Sequence, residues 1–90
     1  MTMGNARVVV YSTTYCGYCH AAETLLRRLG IPFDRVDVTN DPRTRAELPG
    51  RAHGRRTVPV IFIDGQPIGG YQELASLVRA GKLEHIARAS

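Results

Sequence analysis

Arg7-Val8-Val9-Val10-Tyr11 is a short β-branched run that gives way to polar Ser12-Thr13-Thr14, and it predicts a buried strand. Downstream, Ala22, Leu25, Leu26 and Leu29 recur at i, i+3, i+4 and i+7, one apolar stripe of a helix. Gly30 stops that helix and Pro32 bars its continuation. Phe33 to Val38 reads as a second strand, although it carries Asp34 and Asp37. Asp41-Pro42 opens a short helix reaching about Leu48, since aspartate caps and proline suits a first turn. Pro49-Gly50 is expected to end it, leaving Gly50 to Arg56 as a polar, basic loop. Val58-Pro59-Val60-Ile61-Phe62-Ile63 is the strongest strand signal in the chain. Asp64-Gly65 then suits a tight hairpin turn, which returns Pro67-Ile68-Gly69 antiparallel as an edge strand. After Gly69-Gly70 a helix carries Leu74, Leu77 and Val78 and stops at Gly81, and Leu83 to Ala89 forms a last helical turn or two. The order β-α-β-α-β-β-α, a βαβ unit followed by a hairpin and a helix, predicts an α/β fold with a four-stranded mixed sheet flanked by helices.

Length and composition narrow the class. Ninety residues make one domain, spanning 1–90, and leave no room for a second core. With 43% apolar and 22% charged residues the chain is neither disordered nor collagen-like. No apolar run approaches the ~20 residues that span a bilayer, and no secretory signal is visible, so no membrane partner is expected. Two cysteines are too few for a disulfide scaffold and point to the reducing cytoplasm, where a close pair is reactive or metal-binding rather than structural. Twelve basic residues face eight acidic ones, and Lys82 is the single lysine. The arginines cluster at Arg27-Arg28, at Arg43 and Arg45, and at Arg51 with Arg55-Arg56, but no aromatic residues interleave with them. Nucleic acid is therefore not the expected partner.

Cys16-Gly17-Tyr18-Cys19 lies between the first strand and the first helix. Residues i and i+3 share one side of a helical turn, close enough for two sulfurs to bond. Cys16 falls at the helix N-terminus, where free N–H groups and the helix dipole favour an anion, so it is expected to be ionised at neutral pH. Cys19, one turn inside, is placed to resolve a mixed disulfide formed on Cys16. The alternatives are a zinc site or an inert buried pair. Zinc normally takes four ligands, and His20, His53 and His85 are scattered, so no metal is expected. A lone C-x-x-C beside a βαβ pattern is the redox signature.

Thr57-Val58-Pro59 is a second constellation. A proline ahead of a central strand either simply starts the strand or follows a cis bond that turns the backbone of Val58 toward an extended peptide ligand. Gly69-Gly70-Tyr71-Gln72 is a third: paired glycines permit close approach to a ligand, and the following helix presents N–H groups to a carboxylate.

These three motifs, in this order and over Arg7 to about Leu83, resemble the glutaredoxins, and most of all the small bacterial-type dithiol glutaredoxins. The resemblance implies a thioredoxin-like fold, a cis bond before Pro59, and glutathione-dependent reduction of protein disulfides and protein–glutathione mixed disulfides. Cys16 is implied as the nucleophile and Cys19 as the resolving thiol, with glutathione a co-substrate and no permanently bound cofactor. The tripeptide's cysteine would meet the Val58 backbone, and its γ-glutamyl end would meet Gly70, Tyr71 and Gln72. Tyr18 would flank the groove, Arg55 would face the glycine carboxylate, and Thr13, Thr57 and Pro59 complete the implied site. A positive chain suits an anionic tripeptide. The partners implied are glutathione and disulfide-containing or glutathionylated proteins, met by a monomer.

The sequence departs from the family at three positions. Gly17 stands where proline is common, Thr13 where a lysine is usual, and Gln72 where an acidic residue often occurs, with Glu73 next to it as a partial substitute. Gly17 also admits a different function, since some relatives with glycine there carry a glutathione-ligated iron–sulfur cluster across a dimer. Thr13-Thr14-Tyr15 ahead of the motif is similar to mycoredoxins, which use mycothiol.

Overall fold

In the computed structural model, which describes residues 8–55 and 57–84, the β-branched run becomes β1 (Val8–Ser12). It is followed by α1 (Gly17–Arg28), β2 (Phe33–Asp37), α2 (Pro42–Arg51), β3 (Val60–Ile63), β4 (Gln66–Gly69) and α3 (Tyr71–Arg79). The sheet order is β2-β1-β3-β4. β1 runs parallel to β2 and antiparallel to β3, and β4 pairs antiparallel with β3 at the edge. The mixed four-stranded sheet and the element order are those expected. Arg7, Arg56 and residues 85–90, which include most of the last turn expected over Leu83 to Ala89, lie outside the described residues.

Both faces of the sheet are covered, and strand alternation sorts the core into two layers. Val8, Val10 and Ile61 pack with Ala22, Leu26, Ile31, Leu74 and Leu83 on the α1 and α3 side. Val60 and Phe62 pack with Leu48 and Ala52 on the α2 side, joined by Val9 and Tyr11. The guanidinium of Arg51 closes this second layer, lying over the rings of Tyr11 and Phe62 at 5.4 and 5.2 Å. Part of the basic excess is thus spent on aromatic faces rather than on ligands.

Several boundaries differ from the expectation, and four of them have an evident local reason. The buried face of α1 comprises Cys19, Ala22, Glu23 and Leu26, whereas Leu29 at the end of the expected stripe is 38% exposed. Leu29 is already the C-cap, and the helix closes there through the Ile31 N–H bonded to the Leu26 carbonyl at 3.0 Å. The α2 helix passes through Pro49 to Arg51 instead of stopping near Leu48. A proline near a helix end removes one hydrogen bond, and burial of Leu48 and Ala52 against β3 offsets it; Gly54 N–H then caps the Pro49 carbonyl at 2.7 Å. The third strand begins at Val60 rather than Val58, since Pro59 has no N–H to give to the ladder; the Val58–Pro59 bond is cis. Phe33 to Val38 shortens by one residue, yet Val38 N–H still bonds the Ser12 carbonyl at 2.8 Å. The hairpin is as expected: Asp64 and Gly65 both have positive φ, 53° and 80°, the geometry that matches strand twist.

Leu26 is fully enclosed between α1 and the sheet. Leu26→Ala is expected to cost about 2–5 kcal/mol by leaving a cavity. Urea unfolding of the reduced protein measures this, and a loss below ~1 kcal/mol would contradict the core described here.

Candidate functional site

The site is built where β1 delivers the chain to the start of α1. Thr13 to Cys16 form the connection, held to the β2–α2 loop by a bond from Thr14 N–H to Thr39 Oγ1 at 2.9 Å. Cys16 is the N-cap of α1, and its sulfur accepts the Cys19 N–H at 3.1 Å. It is thus the cysteine side chain that satisfies one of the donors left open at a helix start. The Cys16 thiol also donates to the Val58 carbonyl at 3.6 Å, which ties the first motif to the second. That contact uses the Val58 carbonyl that the sequence offered to a ligand.

The two thiols are unequal. Cys16 is partly open, whereas Cys19 is 1% exposed. Burial pushes the Cys19 thiol up to about 12, helped by a hydrogen bond to the Cys16 sulfur; a Thr13 N–H acts in the opposite direction. Cys16 is therefore the more accessible sulfur, and Cys19 is enclosed and held protonated.

Beside Cys16 runs a groove of about 470 Å³, lined by Tyr18, Arg55, Thr57, Val58, Pro59, Tyr71, Gln72 and Glu73. Seven of the residues singled out from the sequence are therefore brought together. The rings of Tyr18 and Tyr71 face each other across it at 6.0 Å, and Tyr18 is 63% exposed. Gly70 forms the floor instead of the lining. It is buried, and any Cβ there would collide with the Arg55 guanidinium and press on the Pro59 carbonyl, so glycine is required by close approach.

Thr13 does not reach the groove. Its side chain is fully buried, and its hydroxyl has no hydrogen-bond partner; what it contributes is backbone, its carbonyl accepting Cys16 N–H at 3.4 Å. Of the site residues expected from the sequence, Thr13 is thus one whose side chain the structure does not bring to the groove. Glu73, considered from the sequence only as a partial substitute beside Gln72, is a groove residue in its own right. Its carboxylate accepts Gly70 N–H at 2.8 Å and lies 3.9 Å from Arg55 Nη1. The Gly70 N–H, with a smaller contribution from Arg55, holds the Glu73 carboxyl below its usual range. His20 is exposed, its ring nitrogen 3.3 Å from the Thr14 carbonyl, in keeping with a solvated helix residue. Among the described residues no group of three or more histidine, cysteine, aspartate or glutamate side chains is placed to hold a metal ion.

A family model described as glutaredoxin matches residues 8–68. The chain belongs to the glutaredoxin family. It is 43% identical over 82 residues to a glutaredoxin of Pseudomonas aeruginosa, covering 91% of this chain and 96% of that one. It is 39% identical over 83 residues to glutaredoxin 3 of Escherichia coli, covering 92% and 99%. Among solved structures it is similar to the crystal structure of a buckwheat glutaredoxin–glutathione complex, with a TM-score of 0.85, 32% identity, and coverage of 96% of this chain and 80% of that one. The fold is accordingly thioredoxin-like, and the activity of this glutaredoxin is glutathione-dependent thiol–disulfide exchange.

The unequal thiols give a direct expectation. At pH 8 in the native state, iodoacetamide should modify Cys16 and leave Cys19 intact, as read by mass spectrometry. A folded-state thiol raised from 9.0 to about 12 adds stability that is full below pH ~9 and is lost as pH rises toward 12. The reduced protein should lose stability over that window more steeply than its Cys19→Ala variant. Comparable alkylation of both cysteines would refute the asymmetry.

Proposed function

We propose that this glutaredoxin reduces protein–glutathione mixed disulfides and protein disulfides through Cys16, with glutathione seated in the groove beside it. The observation that carries this reading is the single accessible sulfur, placed at a helix N-terminus and at the edge of a cavity sized for a tripeptide. In the monothiol route, Cys16 attacks the glutathione sulfur of a mixed disulfide; the protein thiolate leaves and takes up a proton. A second glutathione then attacks the adduct and frees Cys16. In the dithiol route Cys16 attacks a protein disulfide, Cys19 displaces the substrate from Cys16, and two glutathiones reduce the resulting Cys16–Cys19 disulfide. Rates of such exchanges follow thiolate fraction, leaving-group acidity and access to sulfur.

Glutathione supplies two carboxylates, one ammonium and an extended backbone. Arg55 lies in the groove with its Nε buried and unpartnered, and among the described residues it is the cation of the lining available for a carboxylate. The Val58 carbonyl, now bonded to the Cys16 thiol, is free to accept the tripeptide's N–H once that sulfur is in a disulfide. Tyr71 and Gln72 begin α3, whose first N–H groups suit the γ-glutamyl carboxylate. Glu73 offers the acidic group for the ammonium in place of the acid absent at Gln72. Support for glutathione rather than mycothiol, and for exchange rather than cluster carriage, comes from glutaredoxin relatives that match nearly end to end and from the buckwheat complex with glutathione. The reading includes a single domain acting as a monomer in the cytoplasm, the reducing compartment that a free dithiol requires.

Cys16→Ser is expected to abolish turnover, whereas Cys19→Ser should keep deglutathionylation and lose reduction of protein disulfides. A glutathione-coupled assay on each substrate class separates the two, and residual turnover in Cys16→Ser would sink the assignment. Arg55→Gln should raise the glutathione KM roughly tenfold through loss of a charge-assisted hydrogen bond; an unchanged KM would remove Arg55 from the binding site.

A further inference from the structure

Among the buried residues of α1, Glu23 is the one that neither the sequence pattern nor the exchange mechanism explains. It lies four residues after Cys19 on the buried face of the helix, and the two are 2% and 1% exposed. Side chains at this spacing are neighbours on a helix surface, ~5–6 Å apart at Cβ. The carboxylate is fixed there by ion pairs: Oε2 to Arg35 Nε at 3.4 Å and Oε1 to Arg27 Nη2 at 3.5 Å. Arg35 reaches in from β2 and also donates to Ser12 Oγ at 3.3 Å, at the end of β1. Both arginine side chains are substantially open to solvent, at 62% and 40%, while the glutamate side chain is 3% exposed. Water therefore screens the two cations more than the enclosed anion.

We propose that Glu23 is a positioning residue for the exchange reaction: its buried carboxylate, one helical turn behind Cys19, opposes loss of the Cys19 proton and so slows resolution of the adduct on Cys16. This rests on the roles assigned to the two cysteines above. The step concerned balances without an added oxidant. Cys19 gives its proton to water, its sulfur attacks the Cys16 sulfur, the Cys16–glutathione bond breaks as the Cys16–Cys19 bond forms, and the departing glutathione thiolate takes up a proton. Hindering this step leaves the adduct available to a second glutathione, so Glu23 biases the enzyme toward the monothiol route. Burial is the main influence disfavouring the Cys19 anion; Cys16 adds to it, Glu23 adds a smaller push in the same direction, and Thr13 N–H favours the anion. Those acting on Glu23 are Arg27 on its own helix and Arg35 on β2.

The test is stopped-flow closure of the Cys16–glutathione adduct, formed by adding glutathione disulfide to the reduced protein and followed across pH by glutathione release. Glu23→Gln keeps the shape and its hydrogen bonding to arginine but removes the charge. The larger thiolate fraction, partly offset by lower nucleophilicity, is expected to make closure about threefold faster at neutral pH, with the pH–rate profile moved to lower pH. Arg27→Gln, at an exposed position, removes a compensating cation and should slow closure; it decides the matter if Glu23→Gln does not fold. An unmoved pH profile in Glu23→Gln, slower closure in it, or closure in Arg27→Gln that is not slowed overturns the proposal. If the wild-type protein forms no adduct on Cys16, the cysteine roles themselves fail, an outcome distinct from an adduct that closes at an unaltered rate.

Discussion

A helix start has N–H groups that need partners, and in this protein the partner is a sulfur atom. Cys16 serves as the N-cap of α1 with its side chain accepting Cys19 N–H, and that one bond fixes the relation between the two thiols. Because Cys16 caps, it sits outside the helix at the surface. Cys19 then falls within the first turn on the face turned to the core, where it is almost wholly enclosed. The difference in access follows from helix geometry, and the weakened acidity of Cys19 follows from its burial. The rest of the fold serves to hold this turn. β1, flanked on both sides by strands, delivers the chain to it, and the cis bond at Pro59 brings the Val58 carbonyl against the capping sulfur.

The groove shows how the arginine-rich composition is divided. Arg51 covers aromatic rings of the second core layer, Arg35 and Arg27 hold Glu23, and Arg45 donates to the exposed Tyr15 hydroxyl at 3.0 Å. The guanidinium set against the groove is that of Arg55, and it is already partly matched by Glu73. Net charge is therefore a poor guide to ligand affinity here. Under the proposed binding of an anionic tripeptide, a cation in a fixed position, such as Arg55 packed on Gly70, counts for more than long-range attraction.

The sequence made legible what depends on local pattern: the element order, the hairpin at Asp64-Gly65, the cysteine pair at a helix start, and seven of the groove residues. It was less informative where two chain segments compete for the same residue. Pro49 looks like a helix stop, but tertiary burial of Leu48 and Ala52 carries α2 through it. Thr13 belongs to the motif by position, yet it lies under the surface because the chain is still leaving the middle of the sheet. Glu23 was hidden for the opposite reason. A charged residue beside an apolar stripe reads as solvated, and its partner Arg35 comes from a different strand. The available signal was the combination of Glu23 at four residues beyond Cys19 with Arg27 at four beyond Glu23, a ladder along one helix face.

A buried carboxylate beside a buried thiol is an expensive arrangement, since burial penalises charge and the carboxylate disfavours the thiolate. An apolar residue at position 23 would remove that conflict and continue the stripe of Ala22 and Leu26. The ion pairs with Arg27 and Arg35 reduce the cost without supplying a compelling gain in stability, because an enclosed ion pair rarely outperforms good apolar packing. The arrangement makes better sense in the reaction than in the fold. A resolving thiol that ionised readily would close the disulfide after every encounter with glutathione, and the enzyme would then need two further glutathiones to recover. Under the proposed roles, holding Cys19 as a neutral, enclosed thiol makes its closure the slower event and leaves the half-buried Cys16 to exchange with glutathione by itself.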